Sequence, residues 1–168
     1  PATGLFATES CRGGSCHRLS QCRLRRARSI LYTAGMEQQA HLLVVDDNAT
    51  SREILKGMLE ALHLEVSLAA SGPEALDKLS TQAYHLMLTG IKMPGMDGVE
   101  LLKRAHKSFP DLTVIMMTAY ATVETAVEAM KVGALDYLIK PFDPDALIPM
   151  VVRPFEQLQA SRDRRLDV

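Results

Sequence analysis

The sequence predicts an α/β protein built on a doubly wound, five-stranded parallel sheet. Three observations carry that prediction. Five short apolar runs, at 41–45, 64–69, 85–89, 112–117 and 135–139, have the length and composition of strands. The segments between them place apolar residues at helical spacing, so strand and helix alternate along about 120 residues, the pattern of parallel βαβ units. Most of the runs are continuously apolar rather than alternating, as strands buried on both faces are. Right-handed crossovers then leave few topologies open.

Each element follows from its residues. HLLVV (41–45) is a buried run ending on Asp46 and Asp47, and Asn48 to Ser51 supplies capping side chains for the next helix. Ile54, Leu55, Met58, Leu59 and Leu62 make that helix's apolar stripe. LEVSLA (64–69) alternates as a strand, and Gly72-Pro73 opens a second helix with Ala75, Leu76 and Leu79 inward. A third strand, His85 to Thr89, breaks at Gly90 into a loop punctuated by Pro94, Gly95 and Gly98. Asp97 caps the third helix, whose apolar positions are Val99, Leu101, Leu102 and Ala105. LTVIMM (112–117) is the fourth strand and ends on Thr118; a helix over Ala121–Val132 follows, terminated by Gly133. LDYLI (135–139) is the fifth strand and leads into Lys140-Pro141. The last helical stretch, from about Asp143 toward Arg162, contains Pro149 and Pro154, and the spacing predicts a kinked or two-piece segment there.

Charge separates a leader from the rest. Residues 1–35 hold six arginines against Glu9 alone, a net +5; the remainder holds 13 basic and 19 acidic side chains, a net −6. The mildly acidic body argues against direct nucleic-acid binding. No apolar run approaches the roughly 20 residues of a membrane span. Cys11, Cys16 and Cys22 all lie in the leader and lack the paired spacing of a zinc site. The leader, residues 1–38, reads as a disordered or loosely helical extension outside the fold or as sequence upstream of a start at Met36, and its Arg- and Ser-rich composition also matches an organelle transit peptide. The domain proper is expected over 39–155, with a linker or tail at 156–168.

Ligands of open parallel sheets gather at the carboxyl ends of the strands. Those ends carry Asp46 and Asp47, Gly90, Thr118 and Lys140. Two carboxylates, a hydroxyl and an ammonium in one cleft suit a hard cation such as Mg²⁺ together with a phosphoryl group.

VVDD at 44–47, GIKMPGMDG at 90–98, MMTAY at 116–120 and GALDYLIKPF at 133–142 together resemble the receiver domain of bacterial two-component response regulators. The likeness runs from about His41 to Leu147. TAYATVETAVEAMKVGALDYLIKPF looks most like receivers attached to sigma-54-dependent activators. The resemblance implies the flavodoxin-like (CheY-like) strand order 2-1-3-4-5 and a cytoplasmic signalling module rather than an enzyme. It implies that Asp47 ligates Mg²⁺ directly, Asp46 partly through water and Lys92 through its backbone carbonyl. Thr118 would be the switch hydroxyl, Tyr137 its aromatic partner and Lys140 the phosphoryl-contacting ammonium, with Lys140-Pro141 a cis peptide bond. Partners would be a sensor histidine kinase or an output domain, or a second copy, at the face of the fourth helix, fifth strand and fifth helix.

The sequence departs from the family pattern at one position. The phosphoacceptor aspartate belongs four residues before Pro94, and Gly90 stands there. Glycine offers neither nucleophile nor ligand, so the resemblance predicts a receiver that does not accept phosphate, with Mg²⁺ binding weakened or lost. Two alternatives stand beside it: an otherwise competent receiver carrying an isolated substitution or sequence error at Gly90, and a small α/β flavin binder or phosphatase. Paired aspartates where a flavodoxin has its phosphate loop, and Asn48 where a haloacid-dehalogenase-type phosphatase needs an aspartate, weigh against the last.

Overall fold

A computed structural model describes residues 24–31, 40–120 and 122–166, with side chains to residue 157. Strands β1 (His41–Val45), β2 (Glu65–Ala69), β3 (Leu86–Gly90), β4 (Thr113–Thr118) and β5 (Asp136–Ile139) form one sheet, all pairings parallel, in the order β2-β1-β3-β4-β5. The helices between and after them are α1 (Ala49–Glu60), α2 (Gly72–Thr81), α3 (Gly98–Ser108), α4 (Val123–Val132) and α5 (Pro144–Leu166). The fold class is the one the sequence predicts, and the strand order the one the resemblance implies.

Two apolar layers sandwich the sheet. On one face Leu42, Val44, Leu86, Leu88, Ile115, Met117 and Leu138 pack against Leu55, Leu59 and Leu62 of the α1 region and Leu147, Val151 and Phe155 of α5. On the other, Leu43, Val45, Met87, Val114 and Met116 meet Ala75 and Leu79 of α2, Leu101, Leu102 and Ala105 of α3, and Ala129 of α4. Successive strand residues thus serve opposite layers, which is why the central strands read as unbroken apolar runs. Ile54, expected on the inner stripe of α1, is 46% exposed; Leu55 and Leu59, one helical turn apart, point inward instead.

Caps fix the helix starts. Asn48, Ser71, Asp97 and Thr122 each accept a backbone N–H three residues on, and Gly133 ends α4 at a φ of 110° in the left-handed region. α4 therefore begins two residues later than the apolar pattern implies. Pro73 is the second residue of α2, still among the positions whose N–H has no helical partner.

Two expectations are corrected. The last helix is not broken into two pieces: Pro144–Leu166 is one element with Pro149 and Pro154 inside it. Each interior proline costs about 3 kcal/mol. Leu147, Val151, Val152 and Phe155 on the same helix are all at most 4% exposed. Burial of such side chains contributes about 1.5–3 kcal/mol each, enough to offset two proline defects.

The leader is not wholly outside the fold. Residues 24–31 form a helix, with Ala27 and Leu31 buried in the layer of α1 and α5 and Leu24 packed against it. Positions 24, 27 and 31 share one helical face, while Arg25 and Arg26 are exposed. The three leader cysteines and Met36 lie outside the described residues. At the other end, α5 runs past the expected boundary at 155 to Leu166.

Candidate functional site

Parallel pairing brings the carboxyl ends of β1, β3, β4 and β5 to one edge of the sheet. Gly90 pairs with Met117, the N–H of Ile91 donates to the Met117 carbonyl (2.9 Å), and the N–H of Lys140 donates to the Thr118 carbonyl (2.8 Å). These backbone bonds set the relative heights of the residues named above.

Asp46 is the centre of the cleft. It is fully buried, and both its carboxylate oxygens are engaged: Oδ1 accepts from the Asn48 N–H at 2.9 Å and Oδ2 from Lys140 Nζ at 2.5 Å. A buried carboxylate must be paired and hydrogen-bonded to be tolerated, and here it is. Lys140 reaches it from the end of β5, follows into a cis bond with Pro141, and has its ammonium 5.9 Å from the centre of the Phe142 ring. Arg52, one turn into α1, donates Nη1 to the carbonyls of Asp46 (2.6 Å) and Asp47 (3.2 Å), tying the β1–α1 turn.

Gly90 lies against this pair. A Cβ built on its backbone would sit 3.5 Å from Met93 Cγ and 3.6 Å from Asp46 Oδ2, ordinary contacts, and its φ is not in the left-handed region. Neither the backbone nor the packing demands glycine at this position.

The other candidate residues are less convergent. Asp47 is exposed at the rim, and Lys92 is exposed in the β3–α3 loop. The Thr118 hydroxyl is occupied locally: Oγ1 accepts from the Tyr120 N–H (3.1 Å) and donates to the Tyr120 carbonyl (3.0 Å). Tyr137 is half-buried and packs on the α2–α3–α4 layer, its N–H donating to Asp136 Oδ1 at 2.8 Å. His85 accepts the His41 N–H on Nδ1 (3.3 Å), with its ring centre 6.3 Å from that of Phe155. Among the described residues, no three His, Cys, Asp or Glu side chains come together as a metal-binding group.

Sequence reasoning missed Arg52 altogether, and the contacts that Phe142 and Gly98 make. The first two act through a turn and a ring face that no periodicity flags. Gly98 carries the closest approach of the whole loop, since a Cβ there would stand 2.1 Å from the Gly90 carbonyl oxygen.

Comparison with known proteins agrees with this fold. The transcriptional regulatory protein ZraR of Klebsiella oxytoca is 46% identical over 110 residues, covering 66% of this chain and 25% of that protein. The DNA-binding transcriptional regulator NtrC of Klebsiella pneumoniae is 40% identical over 122 residues, covering 73% of this chain and 26% of its own length. The chain thus spans about a quarter of these relatives. Among solved structures, the receiver domain of NtrX from Brucella abortus superposes with a TM-score of 0.66 at 35% identity, covering 68% of this chain and 97% of that one. A CheY-like receiver domain protein from Methanospirillum hungatei gives 0.68 at 35% identity, covering 73% and 98%. The family model for the response regulator receiver domain matches residues 42–152, and the chain belongs to that family, the receiver modules of phosphorelay signalling.

Proposed function

We propose that this chain is a receiver module that relays information by contact and does not take up a phosphoryl group. The observation that carries the reading is Gly90: the acceptor position beside the buried Asp46–Lys140 pair has no side chain. Incubation with acetyl phosphate and MgCl₂ followed by intact-mass measurement tests it. No adduct is expected; a gain of about 80 Da, one phosphoryl group (HPO₃), removed by hydroxylamine, would overturn it.

Receiver domains generally bind Mg²⁺ at the phosphorylation site. The residues of this cleft do not fit that ion well. Mg²⁺ needs near-octahedral oxygen ligation and gives up water reluctantly. Here one carboxylate is missing at Gly90, Asp47 stands alone on the rim, and both oxygens of Asp46 are held by Asn48 and Lys140. No step of the proposed function passes through the metal.

Contact with a partner would use the α4–β5–α5 face. Val123, Val127 and Met130 on α4, Tyr120 before it and Ile139 on the edge strand β5 are 44–77% exposed. A cluster of exposed apolar side chains of this kind suits a protein interface. A sensor histidine kinase, an output domain or a second copy of the chain is the partner class, in the cytoplasm, in a regulator of transcription.

A second reading is favoured by the open space at Gly90: a competent receiver scaffold that has lost only its acceptor. The two readings share the structure and differ in whether an aspartate restored at residue 90 works.

A further inference from the structure

We infer that the Lys140 ammonium is the resident cation of this cleft, standing at Asp46 where a divalent ion would otherwise neutralise the buried carboxylate. The inference rests on the reading above and deepens it, by naming what replaces the metal.

Asp46 has no exposed surface, so its charge must be balanced from within the protein. Two groups do this from opposite sides. The Asn48 N–H donates to Oδ1, and the Lys140 ammonium donates to Oδ2 in a charge-assisted bond. Lys140 is itself 24% exposed and lies near the face of Phe142, so its ammonium is held on the apolar side by a ring. The Arg52 guanidinium adds positive charge at the neighbouring carbonyls. A cation entering beside Asp46 would have to displace Lys140 and would then face two positive groups with only Asp47 to compensate. At Gly90 no second carboxylate competes for the ammonium, which leaves Lys140 bound to Asp46 alone. The lysine thereby joins the ends of β1 and β5, strands that β3 and β4 separate in the sheet, without any ion from solution.

Thermal unfolding of the full chain with and without MgCl₂ reads this directly. For the wild type, 10 mM Mg²⁺ is expected to move Tm by less than about 1 °C, because a ligand stabilises only in proportion to its occupancy. Lys140→Gln keeps a donor for Oδ2 and removes the charge; its Tm is expected to be lower and to rise by several degrees with Mg²⁺. A wild-type Tm that rises as much as the variant's, or a variant with no Mg²⁺ response, overturns the inference. Should Lys140→Gln fail to fold, Asp46→Asn/Lys140→Gln decides, since it removes both charges together. A folded double variant supports the pairing, and an unfolded one overturns it. Wild-type stabilisation by Mg²⁺ without a phosphoryl adduct would sink this inference and leave the proposed function standing, whereas an adduct would sink the latter.

Discussion

Gly90 and Gly98 lie at the two ends of one loop and face each other, yet they are glycines for different reasons. At Gly98 the N–H donates to the Ile91 carbonyl (2.7 Å), and the space of a Cβ is filled by the Gly90 carbonyl oxygen. At Gly90 the Cβ direction opens toward Asp46 and Met93 with ordinary clearances. One glycine closes the loop onto the strand; the other leaves a place empty. The contrast separates a glycine that the fold requires from one that it does not.

The largest test of that contrast is Gly98→Ala. A methyl group against a backbone oxygen cannot be relieved by a rotamer change, so the loop or α3 must move. The cost is expected at about 3 kcal/mol, the upper end for overpacked sites, and outweighs the roughly 1 kcal/mol that alanine gains in a helix. Urea unfolding would measure it, and a neutral result would remove Gly98 as the structural half of the comparison.

The neighbouring cap gives an intermediate effect. Asp97 Oδ1 accepts the Glu100 N–H at 2.8 Å, and Asp97→Ala is expected to cost about 1 kcal/mol by the same measurement. Gly90→Ala has the opposite sign. With no clash and no left-handed φ, the loss of unfolded-state entropy should stabilise the fold by about 0.5–1 kcal/mol. A destabilised Gly90→Ala would mean that glycine is required there too.

The smallest effect lies away from the loop. Glu74 Oε2 accepts the Ala70 N–H at 2.8 Å, and that bond holds its carboxyl below the ordinary glutamate range, aided by Lys78 and opposed by partial burial. A lowered pKa contributes stability that is complete above the ordinary value and lost as pH falls through the lowered one. Glu74 is largely solvated, so the contribution is a few tenths of a kcal/mol. Glu74→Gln should flatten the acid limb of a stability–pH profile by that amount, and an unchanged profile would contradict the assignment.

The sheet was legible in the sequence because strands covered on both faces leave unbroken apolar runs. Asp46 and Lys140 were legible as residues of one sheet edge because parallel strands bring their carboxyl ends together; that they pair with each other was not. What escaped depends on contacts made through loops and turns, which no periodicity marks. Nothing near Gly98 announces the carbonyl it must clear, and nothing near Arg52 announces the turn it holds. The prolines of α5 and the burial of Ala27 and Leu31 were misread for one shared reason: tertiary burial outweighed a local preference that pointed the other way.

The central claim is that Gly90 leaves this chain without a phosphoacceptor, and labelling the wild type beside Gly90→Asp tests it most directly. Treated with acetyl phosphate and MgCl₂, the variant is expected to gain a hydroxylamine-sensitive phosphoryl group by intact mass, while the wild type and Gly90→Asn gain none. Labelling of the wild type would contradict the account, whereas a folded Gly90→Asp that stays unmodified would sink only the second reading, that of a scaffold missing nothing but its acceptor.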